Sequence, residues 1–506
     1  MIPFIATARK FIRRFAPKTD LRELKRIAST RQAQRLRARY DAAQTNADNR
    51  KHWINADDLS ARAANSLSVR KTLRRNSRYE AANNSYAAGM LLTLSNDIVG
   101  SGPRLQMQTP DPVFNQLVEQ EFSAWQRDVR FAQKLRTKCL AKPRDGEAFS
   151  RMFTNMNHNT PVSLDFELLE CDQVTTPILK PERNHVDGIW FDAYNRPEFY
   201  DVLDQHPGDM DYMPKNPEPR KIPAKDVIHW FREDRPGQKR GVPEITPALP
   251  LFAQLRRYTL AVIAAAETAA DFAAIISSQA EPNEGEDVAE PFSEIEISQR
   301  MLLTLPNKMT LEQLKAEQPT TTYGEFKREI INEIARCMNM PFNVAAGNSA
   351  GYNYSSGRLD HQIYFRSIGI TQCDCEDIVL DRLFRAWYQE AQLLRLVKPI
   401  DMRRRCWSWS WDPAEDLDPE KSSRARLAAL QFGGLSYQRM YGELGLDWQV
   451  EQKQQAEALG LDVDSYRKLL IQKLYGEAGS ITNPAGVDPL AAIDARRRAV
   501  KRRVAL

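Results

Sequence analysis

The sequence predicts an α+β protein in which helices precede a β-rich segment and two further long helices frame an acidic insert. Apolar and polar residues alternate between Asp145 and Phe231, which is the period of half-buried strands. From Leu249 to Ile276 the apolar residues recur every three or four positions, which is the period of an amphipathic helix. Hydrophobic residues make up 42% and charged residues 27% of the 506-residue chain, as is typical of a folded, soluble protein. We therefore expect two to four subdomains.

Charge is unevenly distributed along the chain, although the net charge is only +5. Residues 1–40 contain twelve lysines and arginines against Asp20 and Glu23, and the last ten residues contain five more. By contrast, Gln279–Glu296 is acidic, and no basic residue follows before Arg300. Basic ends favour contacts with polyanions, but terminal charge runs are also typical of plain solvated tails. Both interpretations stay open.

The cysteines and the apolar runs indicate the compartment. Six cysteines lie far apart except for Cys373 and Cys375, which predicts a reducing environment. The most apolar long run, Leu260–Ile276, contains Glu267 and Asp271, so we expect no transmembrane segment and no membrane role. At the N-terminus the charges follow the apolar residues, which predicts a flexible basic arm rather than a secretory signal.

The first half of the chain is predicted to form helices followed by strands. Residues 1–80 are arginine-rich and lack periodic apolar positions, which predicts an arm and peripheral helices. A helix is predicted at Asn83–Val99. Another is predicted at Asp111–Ala141, with Val113, Leu117, Phe122 and Trp125 at helical spacing. Strands are predicted at Val162–Leu168, Gly188–Phe191, Phe199–Leu203 and Val227–Phe231, the second and third as a hairpin.

The second half is predicted to be mainly helical around the acidic insert. Within the insert, Arg300–Leu305 and Met309–Leu314 are predicted to pair as a hairpin. A second helix with Phe326, Ile330, Ile334 and Cys337 on one face should end at Pro341. A third helix is predicted from Arg358 to about Leu396, with Leu380, Leu383, Trp387 and Leu394 inward. Cys406–Asp412 should be a returning strand, and helices broken at Gly433, Gly445 and Gly460 should follow Pro419.

Motifs for catalysis are mostly missing from the sequence. No phosphate-binding loop and no dinucleotide fingerprint occurs, so we expect no nucleotide and no other cofactor. Cys373 and Cys375 lack zinc-spaced partners, and packing is the better explanation for them. His229 and His361 have no evident nucleophile beside them, so we expect ordinary buried or surface histidines.

Two pairs of carboxylates keep an enzymatic alternative open. Asp145 with Glu147, and Asp209 with Asp211, could hold a divalent metal as in nucleases. Both pairs lie in turn-forming sequence, where Asp is favoured for local hydrogen bonds, and the turn interpretation is favoured.

The strongest candidate for a functional segment is the long loop predicted between the second and third helices. Residues 341–357 supply amides, hydroxyls and aromatics but no carboxylate, so the loop could contact a polyanion without repelling it. Long ordered loops are often functional, although a passive surface loop is the alternative.

Several segments of the chain together resemble the portal proteins of tailed bacteriophages, specifically the lambda-like portal family. They are Arg75–Asn84, Ile98–Gly102, Asp145–Glu147, Val227–Phe231, Arg235–Pro243, Tyr352–Arg358, Gly434–Tyr437 and Gly445–Asp447. The resemblance covers about residues 40–475 and implies a portal-type fold with a β-rich wing, two stem helices, a small α/β clip, a long kinked helix and a helical crown.

The resemblance also implies a division of the chain into parts. These are a basic N-terminal arm (1–40), the wing (41–241), the first stem helix (242–278), the clip (279–321), the second stem helix (322–340), the tunnel loop (341–357), a long helix with a return to the wing (358–418), the crown (419–482) and a basic C-terminal tail (483–506).

In function, the resemblance implies a structural subunit and no enzyme. Such a subunit forms a homo-oligomeric ring, typically of twelve copies, at one capsid vertex, through which double-stranded DNA is packaged and ejected. The implied partners are the terminase large subunit, capsid and scaffold proteins, and head-completion or tail connector proteins. The implied location is the virion, after assembly in the host cytoplasm.

The resemblance assigns roles to two sets of residues. The DNA-facing tunnel loop would comprise Asn343, Asn348, Ser349, Tyr352, Asn353, Tyr354, Ser355, Ser356 and Arg358. Partner docking in the clip would involve Glu284, Glu286, Asp287, Glu290, Glu294, Asn307 and Lys308. The alternatives are a metal-dependent nucleic-acid enzyme and a monomeric nucleic-acid binding module.

Overall fold

The computed structural model describes residues 51, 54, 56–176, 184–209, 218–270, 274–278, 309–313, 320–351, 353–413, 419–443, 446 and 448–475. The chain divides into two compact units, residues 1–64 and 65–506. In the first unit the described residues include a single helical turn, α1 (Ala61–Ala64). The predicted arm at 1–40, the predicted strand at 300–305 and the basic tail after 483 lie outside the described residues.

The second unit begins with four helices. They are α2 (Leu67–Asn83), α3 (Ser85–Val99), α4 (Pro112–Asp128) and α5 (Phe131–Asp145). Asn84 begins α3 because its side chain accepts hydrogen bonds from the backbone N–H groups of Tyr86 and Ala87. The prediction of α3 is therefore confirmed, and its boundary with α2 has a clear physical cause.

The single helix predicted at Asp111–Ala141 is wrong, because the chain breaks it into α4 and α5. Arg130 at the break adopts a left-handed φ of 52°. Of the residues at helical spacing, Val113 is 79% exposed, whereas Phe122 and Trp125 are buried together with Phe114 and Val118. Asp111 caps α4 and Pro112 opens it, which sets the rotation of the helix.

Helix α2 is not peripheral, contrary to the prediction for residues 1–80. Its inward face consists of Arg70, Arg74, Ser77 and Glu80, all of them buried. Polar side chains are buried only when they are paired. This face has no apolar periodicity, which is the usual sequence signal for a buried helix face.

Nine of the described strands form three small antiparallel sheets. β2 (Glu147–Thr154) is the centre of a sheet ordered β3 (Leu164–Leu169), β2, β8 (Val227–Phe231). β4 (His185–Val186), β5 (Ile189–Phe191), β6 (Pro197–Val202) and β7 (Arg220–Pro223) form a meander. β1 (Arg104–Met107) pairs with the distant β11 (Trp407–Ser410). The predicted strands and the β5–β6 hairpin are thus confirmed.

The first long helix, α6, spans Leu249–Ala270, and the prediction that it continues to Ser278 is wrong. Instead, Ala274–Ser278 forms β9, which pairs antiparallel with β10 (Met309–Gln313). The partner predicted for this second strand was Arg300–Leu305. A run of alanine, isoleucine and serine suits either structure, and the sheet partner decides between them.

After β10 the chain returns as α7 (Thr320–Arg336), α8 (Phe342–Ala346) and α9 (Tyr354–Cys375). The predicted long loop at 341–357 is therefore wrong at both ends, because α8 forms within it and α9 begins four residues early. Phe326, predicted inward on α7, is half-exposed and packs edge-on against Tyr258 of α6.

A π-helical turn at Glu376–Leu380 joins α9 to α10 (Asp381–Leu393) and interrupts the predicted continuous third helix. Wide turns of this kind insert an extra residue and alter the helix course. Leu380, Leu383 and Trp387 are inward as predicted, but Leu394 is half-exposed beyond the end of α10.

Four short helices complete the described chain: α11 (Pro419–Gln431), α12 (Tyr437–Glu443), α13 (Trp448–Ala458) and α14 (Val463–Tyr475). The predicted breaks near Gly433 and Gly460 are confirmed, whereas Gly445 lies outside the described residues. Among the described residues, none of the helices has the length and apolarity that crossing a membrane requires.

One main hydrophobic core joins the N-terminal helices to α7, α9 and α10. Its aromatic centre is Phe122, which contacts Trp125, Phe384 and Trp387 with ring centroids 5.1–5.4 Å apart. A second, smaller cluster contains Phe149, Tyr200, Val202 and Val227 between the two larger sheets. This packing holds the sheets and helices that carry the candidate sites.

Candidate functional site

The loop between α8 and α9 is the described part of the predicted DNA-facing segment. Gly347 ends α8 with a left-handed φ of 61°, and Gly351 has a φ of 80°. Residues 347–351 are all exposed, and the Asn348 side chain accepts a hydrogen bond from the Ala350 N–H at 2.9 Å. The loop therefore presents amide and hydroxyl groups to its surroundings on two turns that glycine makes possible.

The structure divides the predicted tunnel-loop residues among three environments. Asn343 belongs to α8, Asn348, Ser349 and Asn353 belong to the loop, and Arg358 is exposed on α9. Tyr354, Ser355 and Ser356 form the first turn of α9, of which the backbone is described, and Tyr352 lies outside the described residues.

Both ends of the loop are anchored. The side chains of Asn343 and His361 are hydrogen bonded at 3.0 Å, which joins α8 to α9. One turn further along α9, the Tyr364 hydroxyl donates to Asp97 of α3 at 2.6 Å. Burial raises the pKa of Asp97, with the hydrogen bond from Tyr364 opposing it. The loop is thus mounted on a helix that is fixed to the core.

The partner-docking residues predicted in the acidic insert cannot be placed in the fold. Glu284, Glu286, Asp287, Glu290, Glu294, Asn307 and Lys308 all lie outside the described residues. Their role stays a prediction.

A buried ionic network around Glu147 was missed by the sequence analysis. The Glu147 carboxylate is fully buried at the start of β2. It accepts hydrogen bonds from Arg240 at 2.7 Å, from the Gly241 N–H at 3.0 Å and from Arg74 at 3.2 Å. His229 on the neighbouring strand β8 lies 3.0 Å from the same carboxylate.

A second cluster of ion pairs adjoins the first through α2. Arg74 and Arg78 donate to the two oxygens of Asp172 at 2.6 and 2.9 Å. Arg78 also donates to Asp145 at 2.8 Å, and Arg70 pairs with Asp187. The arginines recur every four residues, so one face of α2 carries Arg70 and Arg74 into the interior and Arg78 to its edge, where the side chain is 29% exposed. That spacing was the sequence signal that could have identified the network.

The pKa shifts follow from this geometry. Burial alone raises the pKa of Glu147, but the positive charge of Arg240 and hydrogen bonds from His229 and Arg240 bring it well below 4.5. Burial lowers the pKa of His229, and Glu147 opposes that shift. The carboxylate is therefore charged in the folded protein and fully compensated.

Two glycines allow the backbones beside this network to approach closely. Gly146 has a φ of 92°, and a Cβ there would lie 2.5 Å from the carbonyl carbon of Val242. A Cβ on Gly241 would lie 2.0 Å from the carbonyl oxygen of Gly146. Neither position can carry a larger residue without displacing the backbone, which brings Gly241 within reach of Glu147.

The geometry argues against the nuclease alternative. The carboxylates of Asp145 and Glu147 are occupied by arginines, and a metal ion would have to displace these cations. Asp209 lies in an exposed turn, and Asp211 is outside the described residues. Among the described residues, Glu170, Asp172 and His206 also approach one another, but Arg74 and Arg78 hold Asp172. The His229 side chain is buried and hydrogen bonded with Glu147.

Four of the segments that carry the family resemblance meet at Glu147 and at the adjoining cluster of ion pairs. Arg78, Asp145, His229 and Arg240 come from four of these segments and converge on two adjoining clusters. The model of the phage portal protein, lambda family, matches residues 25–372 of the chain. The chain belongs to this family.

A curated relative agrees with this family assignment. The chain is 24% identical over 458 residues to a "Probable portal protein" of Halomonas phage phiHAP-1, a match that covers 83% of this chain and 85% of the relative. The function is accordingly that of a portal protein, which is a structural component of the phage and no enzyme.

Similar solved structures come from particles of a gene transfer agent (GTA). They are a chain of the "Virion of native gene transfer agent (GTA) particle" (12% identity, TM-score 0.43, 74% of this chain and 93% of that chain) and one of the "Neck of empty GTA particle computed with C6 symmetry" (13%, 0.45, 74% and 93%). A third belongs to the "Neck of native GTA particle computed with C12 symmetry" (13%, 0.43, 74% and 94%).

Proposed function

We propose that copies of this portal protein form a closed ring of twelve at one capsid vertex, through which double-stranded DNA enters during packaging and leaves during ejection. Family membership supports the portal role. The observation on this chain that supports the ring is a row of exposed apolar side chains on α9, which the exposed Arg366 interrupts. Leu359, Ile363 and Ile370 are 63%, 57% and 60% exposed.

These three side chains lie on one face of the helix. Positions four and eleven residues apart fall within about 40° of each other on an α-helix. A row of exposed large apolar side chains marks an interaction surface, because monomeric soluble proteins rarely expose contiguous apolar patches to water. A neighbouring copy in a closed ring would cover the row on every subunit alike.

The loop at 347–353 is proposed to face the DNA path. Asn348, Ser349 and Asn353 are polar and the loop has no carboxylate, so these side chains neither repel phosphates nor bind them as tightly as a lysine cluster would. Duplex DNA that must move needs weak contacts of this kind. Arg358, one turn into α9, would supply the nearest positive charge.

The remaining partners of the ring follow from the proposed role. The acidic insert at 279–321 would dock the terminase large subunit and later the head-completion or tail connector proteins. The outer surface of the ring would contact capsid and scaffold proteins. The ring would assemble in the host cytoplasm and remain in the virion.

The loop is tested by adding a charge without changing its shape. In Asn348→Asp the new carboxylate still accepts the Ala350 N–H, but it repels phosphates. We expect rings of normal mass and a several-fold loss of packaged DNA, measured as DNA per particle after complementation of a portal-deficient phage. Asn157→Asp, in the exposed turn after β2, is the matched control and should package normally. Equal packaging by both variants would contradict the placement of the loop.

A further inference from the structure

Helix α2 has an outer basic row in addition to its buried arginines. Lys71 and Arg75 are exposed, and Arg78 follows at the next turn on the same side. No acidic residue occurs between Leu59 and Tyr79. Among the described residues, Lys71 and Arg75 form no ion pair, although Arg74 and Arg78 beside them are paired. Two uncompensated cations therefore lie on a helix whose other charges are already balanced.

These cations line an open pocket. The pocket measures about 410 Å³ and is bounded by Lys71, Arg74, Arg75, Arg78, Asp172, His206, Pro207 and Gly208. A second hollow of about 340 Å³ shares Arg78 and adds Arg144 and Glu170. Asp172 does not cancel the positive charge of Lys71 and Arg75, because its two oxygens are bound to Arg74 and Arg78.

The chemistry of the lining indicates an anion, and its spacing indicates an extended one. Residues four and seven positions apart on a helix are separated by about 6 and 10 Å along its axis. Each strand of duplex DNA carries one charge per about 3.4 Å of axis, so the row spans several phosphates. A protein partner would instead require a central apolar contact, and the lining contains no large apolar side chain.

We infer that this pocket on α2 binds the phosphodiester backbone of duplex DNA, with Lys71 and Arg75 each neutralising one phosphate. The inference rests on the proposed function in that the ring handles duplex DNA, and it adds a binding surface on elements other than the loop at 347–353. A surface that holds DNA here has a different task from a loop past which DNA must move, because its cations can bind phosphates tightly.

The test compares Lys71→Gln/Arg75→Gln with the wild type in binding a fluorescein-labelled duplex of about 20 base pairs. The full-length protein is used at a series of salt concentrations. Each lost phosphate contact lowers the slope of log affinity against log salt by about 0.9, so the double variant should lose about 1.8 and each single variant about half of that. Because neither side chain pairs with a described residue, the melting temperature should not change.

A matched control separates a site from bulk charge. Arg403→Gln/Arg404→Gln removes two exposed arginines from the turn before β11 and should leave the slope unchanged. An unchanged slope in the α2 variant, or an equal decrease in the control, would overturn the inference. The α2 result is independent of packaging by Asn348→Asp, so either proposal can fail while the other stands.

Two competitors distinguish the sources of negative charge. A polyglutamate peptide of the same charge as the duplex should compete weakly and equally with wild type and variant. If it competes strongly and loses affinity in the α2 variant, the site takes an acidic protein. If inorganic phosphate abolishes the difference between wild type and variant when chloride of equal ionic strength does not, the pocket binds free phosphate. Both results overturn the assignment to DNA.

Discussion

At the scale of residues, the network around Glu147 illustrates why a buried charge matters most when one partner is removed. A buried ion pair adds little net free energy, because desolvation offsets the attraction between the charges. Removing one member, however, leaves the other charged and buried. Loss of the Glu147 carboxylate would leave Arg240 with Asp187 and Arg74 with Asp172 as their remaining acidic partners.

Glu147→Gln should therefore destabilise the protein by about 3–5 kcal/mol, although the side chain keeps its shape. The measurement is urea unfolding followed by tryptophan fluorescence at one fixed protein concentration, since assembly changes apparent stability. Glu167→Gln breaks a part-exposed pair with Arg151 and serves as the control, with an expected loss below about 1 kcal/mol. Similar losses of unfolding free energy in the two variants would show that the buried network contributes no more to stability than a part-exposed ion pair.

Lys138 makes a second prediction, which concerns pH. Its amino group is buried between the Ser150 hydroxyl, at 2.8 Å, and the Ile228 carbonyl, at 3.1 Å. Burial lowers its pKa from 10.5 to about 7. Between these values the unfolded chain holds a proton that the folded chain has released. The free energy of unfolding should consequently rise with pH from about 7, by up to about 1.4 kcal/mol per unit.

The window from pH 7 to 9 tests this lysine by comparison of the wild type with a variant. Burial lowers the pKa of His229 and raises the pKa of the neighbouring thiol Cys139 to about 12, so the thiol ionises only on unfolding and opposes the rise in stability towards pH 9. Lys138→Met should lose the rise in stability across the window, as measured by urea unfolding at pH 7, 8 and 9. The exposed Lys225→Met should keep it. A rise of the same size in Lys138→Met would assign the effect to other groups.

At the scale of elements, the sequence predicts strands and glycine breaks well because both depend on local features. The alternation in Val162–Leu168 and the turn between β5 and β6 needed no distant partner to be recognised. The helical breaks near Gly433 and Gly460 are local in the same sense.

The elements that were missed depend on contacts far along the chain. Arg74 of α2 can be buried because it pairs with Asp172 and Glu147. These partners are 98 and 73 residues away along the sequence. Ala274–Ser278 is a strand because Met309–Gln313 pairs with it. The candidate loop was predicted too long because the short helix α8 has no side-chain cap at its N-terminus and no long apolar period.

At the scale of the whole molecule, the exposed apolar row on α9 predicts assembly. We expect the purified full-length protein to have a mass of about twelve times 57.9 kDa in native mass spectrometry. A stable species of one or two subunits at working concentration would contradict the ring.

Ile363→Lys tests whether α9 forms the contact between copies. The side chain is 57% exposed, so lysine should not disturb the fold of one subunit, but it would place a charge in an apolar interface on every copy. Because a closed ring repeats one interface, a single substitution weakens every contact at once, and we expect smaller species with an unchanged melting curve of the subunit. Val113→Lys changes an exposed apolar residue on α4 and should leave the ring intact. Full rings from Ile363→Lys would place the interface on other helices, whereas smaller species from both variants would indicate a general effect of added charge.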